Sequence, residues 1–217
     1  MPIYLTPAAI SYLSQLILAL AITGFLVYRF LGRPRAGRPA HALLLAAFFA
    51  AVTVLVLLFF LENSFPPERR LYVVYLENSV VGLVLVFLLQ FAYHFPTLPE
   101  EWEGEAGLAL WLSLWYMVWE MQYAAGRFSE LLGRGQVYFR PGWPDQVMVL
   151  LFLWAPVVLL RQAAYAPAWA APSPWLRRLW KPQGPAARTA RAFALVYLLP
   201  VGLSLTNYLV TTRAISS

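Results

Sequence analysis

Hydrophobic residues in this 217-residue chain run in long unbroken blocks rather than in alternation. Leu43–Leu61 and Val80–Leu89 are apolar on every side, which is neither the two-residue period of a half-buried strand nor the one-faced stripe of a surface helix. Six such blocks follow one another, at about 7–30, 42–61, 71–93, 106–123, 146–160 and 192–210. Most are close to the roughly 20 apolar residues a helix needs to cross hydrocarbon. A closed barrel would instead need alternating ten-residue segments. The pattern predicts an all-α polytopic transmembrane helical bundle with six spans, forming one integral-membrane domain over residues 1–217.

Helix punctuation supports these limits. Thr6-Pro7 offers an N-cap and a proline at the first helical position. Gly32 to Pro39 is basic and rich in helix breakers, Pro66-Pro67 makes a tight connection, and Pro96 and Pro99 end the third block. An acidic loop with Glu100, Glu101, Glu103 and Glu105 follows. Arg140-Pro141-Gly142-Trp143-Pro144 reads as a turn. The fifth block is the shortest, extends past Arg161 if that side chain snorkels, and is expected to kink at Pro156.

Composition then excludes a soluble protein. Hydrophobic residues make up 61% and charged residues 12%, about half the charged share of a soluble domain. Cysteine is absent, so there is no disulfide framework or thiol nucleophile. The net charge of +6 is explained by basic residues flanking the spans, so no nucleic-acid partner is expected.

Those charges set an orientation. Arg29, Arg33, Arg35, Arg38, Arg161, Arg177, Arg178, Lys181, Arg188 and Arg191 lie on one side, against six basic residues on the other. The richer side is expected to be cytoplasmic, which places both termini outside a bacterial inner membrane. No basic residue precedes Arg29, so the first block is expected to be a retained span rather than a cleaved leader. Trp175, Arg177, Arg178, Trp180 and Lys181 suit a short interfacial anchor on the inner leaflet.

Polar groups inside spans are costly, so their placement carries information. In this orientation they gather in the outer leaflet: Glu62, Asn63, Glu77, Asn78, Glu120, Gln122 and Asn207 form a candidate ligand- or proton-sensing pocket. The tetrad Leu-Glu-Asn-Ser occurs twice, at Leu61–Ser64 and Leu76–Ser79, on both arms of the hairpin between spans two and three. Hydrated interfacial groups bonded between helices are the plainer account of the same residues. Trp111, Trp115 and Trp119 form a four-residue ladder that suits aromatic packing and anchoring, or stacking of a flat ligand.

Several chemistries are argued against. Retinal needs an intramembrane lysine, and the only lysine, Lys181, is in a polar loop. Haem is disfavoured because His41 and His94 both lie near the membrane surface. HExxH and GxSxG patterns are missing. No cofactor, metal site or catalytic activity is expected.

The basic loop after span one, the tight second loop, and Tyr75-Leu76-Glu77 early in span three form one set of features. The Phe95-Pro96 exit, the outer loop with Arg140-Pro141-Gly142, and Pro200 and Asn207 in span six continue it. Over residues 7–212 this resembles the N-terminal seven-transmembrane sensor region of bacterial histidine kinases and related signalling proteins. The resemblance implies a sensory input module that acts on a C-terminal output domain or a separate protein partner, with a homodimer also compatible. A seventh span is missing from the pattern. The alternatives are a structural or assembly subunit of a larger membrane complex, and a small-solute transporter.

Overall fold

The computed structural model describes the backbone of residues 5–34, 38–134, 143–165, 175–182 and 184–216. Side chains at 67–69, 71, 127–134, 143–145, 175–177, 200–201 and 203–216 fall outside that description. The Arg140-Pro141-Gly142 turn and the side chains of Trp175, Arg177, Pro200 and Asn207 therefore lie outside the described residues.

Every regular element among the described residues is helical. The order is α1 (Pro7–Leu31), α2 (Ala40–Ser64), α3 (Pro67–His94), a 3₁₀ turn (Glu100–Trp102), α4 (Glu103–Arg134), α5 (Trp143–Ala164), α6 (Trp175–Trp180) and α7 (Gly184–Ser216). Among the described residues, four segments, Pro7–Leu31, Ala40–Ser64, Tyr72–His94 and Gln146–Ala164, are long and apolar enough to cross a membrane.

Local chemistry accounts for the boundaries. The Thr6 hydroxyl accepts from the Ala9 amide at 3.1 Å, and Pro7 occupies the first helical position. Gly32 closes α1 by donating to the Tyr28 carbonyl at 2.9 Å. Phe65 is extended, as a residue before proline must be, which ends α2 and lets Pro67 start α3 two residues later. Gly184 opens α7 at φ 89°, a conformation that disfavours any side chain.

Two compact units divide the chain. The first holds residues 1–88 and 109–139, the second residues 89–108 and 140–217.

In the first unit, α1 and α2 pack along one another. Ala9, Leu16 and Ala19 form the buried stripe of α1, and Ala46, Ala51, Thr53 and Leu58 that of α2. The small residues let the backbones approach, and the Thr23 and Thr53 hydroxyls bond at 2.8 Å between the helices. Nearby, the Thr6 hydroxyl donates to the Asn63 carbonyl at 3.4 Å. Gly82 of α3 faces Met117 of α4 so closely that a Cβ there would stand 2.5 Å from the Met117 Cγ. The remaining surface is inverted relative to a soluble protein: Ile17, Leu18, Leu20 and Phe25 are each more than half exposed. Hydrocarbon accommodates such a surface and water does not.

In the second unit, α5 packs on α7 and, over a shorter stretch, on α6. Ala155, Ala190 and Ala194 are fully buried, and Phe193 meets Phe91 and Phe95 edge-on at 5.5 and 5.7 Å. Pro156 lies inside α5 and is fully buried.

The helices outrun the apolar blocks. α5 continues past Arg161 to Ala164, α4 continues from Tyr123 to Arg134, and α7 begins at Gly184, before its block at about 192. Hydropathy registers only the part of a helix suited to lipid, whereas propensity and tertiary support extend it into the polar flanks.

Candidate functional site

The first unit carries a polar cluster on the hairpin of α2 and α3. Two side-chain oxygens among the described residues are buried without a hydrogen-bond partner, Ser64 Oγ and Glu77 Oε1. Each belongs to one of the two Leu-Glu-Asn-Ser tetrads. In the first copy the serine at the end of α2 is the buried, unpartnered group. In the second it is the glutamate, 7% exposed within α3. Glu62 is half-buried and lies within electrostatic range of both Glu77 and Arg70. Arg70 in turn donates through Nε to the Phe65 carbonyl at 3.0 Å, bracing the turn between the helices.

The other candidate residues take different places. Asn63 spends its amide on the Phe59 carbonyl one helical turn back, at 2.8 Å. Asn78 is half-buried, as is Glu120, whose carboxylate accepts a long 3.5 Å bond from the Tyr116 hydroxyl. Gln122 is exposed. Asn207 belongs to the second unit, with its side chain outside the description. Glu62 and Glu77 thus lie within electrostatic range of one another. Burying a carboxylate oxygen without a hydrogen-bond partner is unfavourable, so Glu77 is a costly residue at this position.

The tryptophan ladder lies on the outer face of α4. Trp111 is 73% and Trp115 52% exposed, and the Trp115 and Trp119 rings stack at 6.1 Å and 7°. Ala109, Ser113 and Tyr116 make the buried face of the same helix.

The second unit carries a site that sequence reasoning missed. Arg161, near the end of α5, pairs with Glu105 at the start of α4 and lays its guanidinium over the Trp102 ring at 4.5 Å. The Tyr93 hydroxyl donates to the same Glu105 oxygen at 2.7 Å. The hydrogen bond from Arg161 holds the Glu105 carboxyl below the usual carboxylate range. Partial burial opposes this, and the Tyr93 bond adds to it. Gln162 is buried and donates to the carbonyls of Tyr93 at 2.8 Å and Thr97 at 3.4 Å, pinning α5 to the turn after α3. Gln90 is likewise buried and donates to the Ala106 carbonyl at 3.1 Å.

Beside this network lies a groove of about 520 Å³ with almost wholly apolar walls. Trp102, Val157, Leu160, Ala164, Tyr165 and Leu179 line it, and Arg161 is the charged residue among them. The Leu179 wall belongs to α6, the helix formed where the interfacial anchor is expected. Arg191 of α7 donates to the carbonyls of Leu179 and Trp180 at 3.3 and 2.8 Å, supplying partners that a six-residue helix lacks at its end. Trp180 is 76% exposed and Lys181 is exposed, while Arg178 is half-buried.

Among the described residues, no group of three or more His, Asp or Glu side chains is arranged to hold a metal ion. No protein-family model, curated protein or solved structure gives a match to the chain.

Proposed function

We propose that the chain is a non-enzymatic signal-input module of a bacterial inner membrane, crossing it six times with both termini outside. Its input site is the Glu77 region of the α2–α3 hairpin. The observation that carries this reading is the buried carboxylate oxygen of Glu77, held without a partner inside a membrane-length helix. Stability alone disfavours such a group, and its presence supports a role in binding a proton or a small cationic ligand. Glu62 adds a second carboxylate in range, and Arg70 a balancing charge. Occupancy would favour one packing of α2 against α3 over another, and a protein partner would read the difference. The resemblance to seven-transmembrane sensor regions points the same way.

The chain has no cysteine, so a single thiol reports cleanly. Leu76→Cys, at a half-exposed position next to Glu77, carries an environment-sensitive fluorophore without touching the carboxylate. In nanodiscs its emission is expected to change as pH is moved from 5 to 9 or as tetramethylammonium is added. The Glu62→Gln/Glu77→Gln variant should abolish both responses. A flat signal from the protein with both glutamates intact would refute the proposal.

The exposed Trp111–Trp115 face supports a second reading, a structural subunit whose aromatic helix face is covered by protein or pigment. Purification in mild detergent separates the two. Stoichiometric co-purifying subunits or visible absorption favour the subunit, and a colourless isolated bundle favours the sensor.

A further inference from the structure

The groove in the second unit joins three properties. Its walls are carbon, from Val157, Leu160, Ala164 and Leu179. Among the described residues that line it, the charged one is a cation, Arg161, with a 41% exposed side chain. Its position is the carboxyl end of α5, a helix long and apolar enough to cross a membrane and ending at Ala164. That end is where hydrocarbon gives way to headgroups. A purely apolar occupant would set carbon against the guanidinium nitrogens that Glu105 leaves unengaged, and a small anion would leave the carbon walls wet.

We propose that this groove is a binding site for an anionic phospholipid, with an acyl chain against Val157, Leu160 and Leu179 and the phosphate on Arg161. The guanidinium has five N–H donors, and Glu105 engages one nitrogen, Nη1. The Glu105 pair and the Trp102 ring, 4.5 Å from the guanidinium carbon, together restrain the group, which is the preorganisation that recognition of a phosphate needs. Arg178 and Lys181 flank Leu179 in the chain and add positive charge near the same wall. The groove's volume of about 520 Å³ lies within the 300–1,000 Å³ range of small-molecule clefts. Charge complementarity selects the anionic over the zwitterionic lipid, because phosphatidylcholine carries its own cation beside the phosphate.

Native mass spectrometry of the full chain, titrated in micelles with phosphatidylglycerol or phosphatidylcholine, tests this. The unmodified protein should retain phosphatidylglycerol at least tenfold better. Arg161→Gln should remove that preference, a loss of about tenfold in affinity for one charge-assisted bond. Ala164→Phe fills the groove while leaving the Glu105–Arg161 pair in place, so it keeps the test decisive if Arg161→Gln does not fold. It should lower retention of the bound lipid without altering the Glu105–Arg161 interaction. Equal retention of the two lipids by the unmodified protein overturns the site, as does phosphatidylglycerol retention unchanged by Ala164→Phe. Displacement of phosphatidylglycerol by an equal concentration of oleate would assign the groove to a fatty acid and overturn it in this form.

Discussion

Substituting Gly82 tests the closest approach in the first unit. A Cβ at this position would lie 2.5 Å from Met117 Cγ, 2.9 Å from Met117 Cβ and 3.3 Å from Met117 Cα. Carbon atoms in contact settle at about 3.5–4.0 Å. The Cγ can swing aside at the cost of a poorer rotamer, but the Cβ and Cα move only with the backbone of α4. Relief therefore needs a displacement of the helix by about 0.5–1 Å. Overpacking of this kind costs about 1–3 kcal/mol. Against it stands the gain of replacing glycine by alanine within a helix, about 1 kcal/mol. The expected net effect of Gly82→Ala is a destabilisation of about 1 kcal/mol, and Gly82→Leu should cost more. In a Met117→Gly background the clash with Cγ and Cβ disappears, and Gly82→Ala should become neutral or stabilising. The resulting coupling energy is about 1–2 kcal/mol. Unfolding by dodecyl sulfate from dodecyl maltoside micelles, followed by far-UV circular dichroism, gives all four corners of this cycle. If Gly82→Ala alone raises stability by the full helix-propensity increment, α3 and α4 do not meet at this glycine.

The ion pair and the buried amide of the second unit give two further expectations. Glu105 is held below its unfolded value, so its contribution is complete above the unfolded carboxylate range and is lost as pH falls through the lower folded value. The Glu105 contribution to thermal stability should be constant above about pH 5 and decline below about pH 4. Glu105→Gln should flatten that acid limb and cost no more than about 1 kcal/mol at pH 7, because both partners are about a third or more exposed. An acid limb unchanged in the variant refutes the pairing. Gln162→Leu strips a buried donor from the Tyr93 and Thr97 carbonyls and should cost about 1–3 kcal/mol. A melting temperature within a degree of the original would show that the turn after α3 does not depend on it.

What could be read from the chain was what depends on neighbours in sequence. Thr6-Pro7 starts α1 and Pro66-Pro67 separates α2 from α3 because capping and proline sterics are local. The apolar blocks located helices for the same reason. The repeated tetrad marked Glu62 and Glu77, but which of its members ends up buried without a partner depends on the helices around it. Ser64 and Glu77 occupy different places in the repeat. The Arg161–Glu105 pair spans 56 residues and the Gln162–Tyr93 bond 69, and no periodicity links such positions. Arg161 read as a flanking charge, and Glu105 as part of a solvated acidic loop. A hint was available: an amide and a cation side by side at the end of an apolar block both need partners, and the acidic loop held carboxylates for the cation.

Arg191 gives the second unit a mechanical property. α6 has six residues, too few to hold its own shape, and its last carbonyls are held by a guanidinium rooted in α7. Displacing Leu179 outward must either stretch those two bonds or drag the first turns of α7 along. The two helices are therefore tied at this joint, and a load on the short one is carried first by a single side chain.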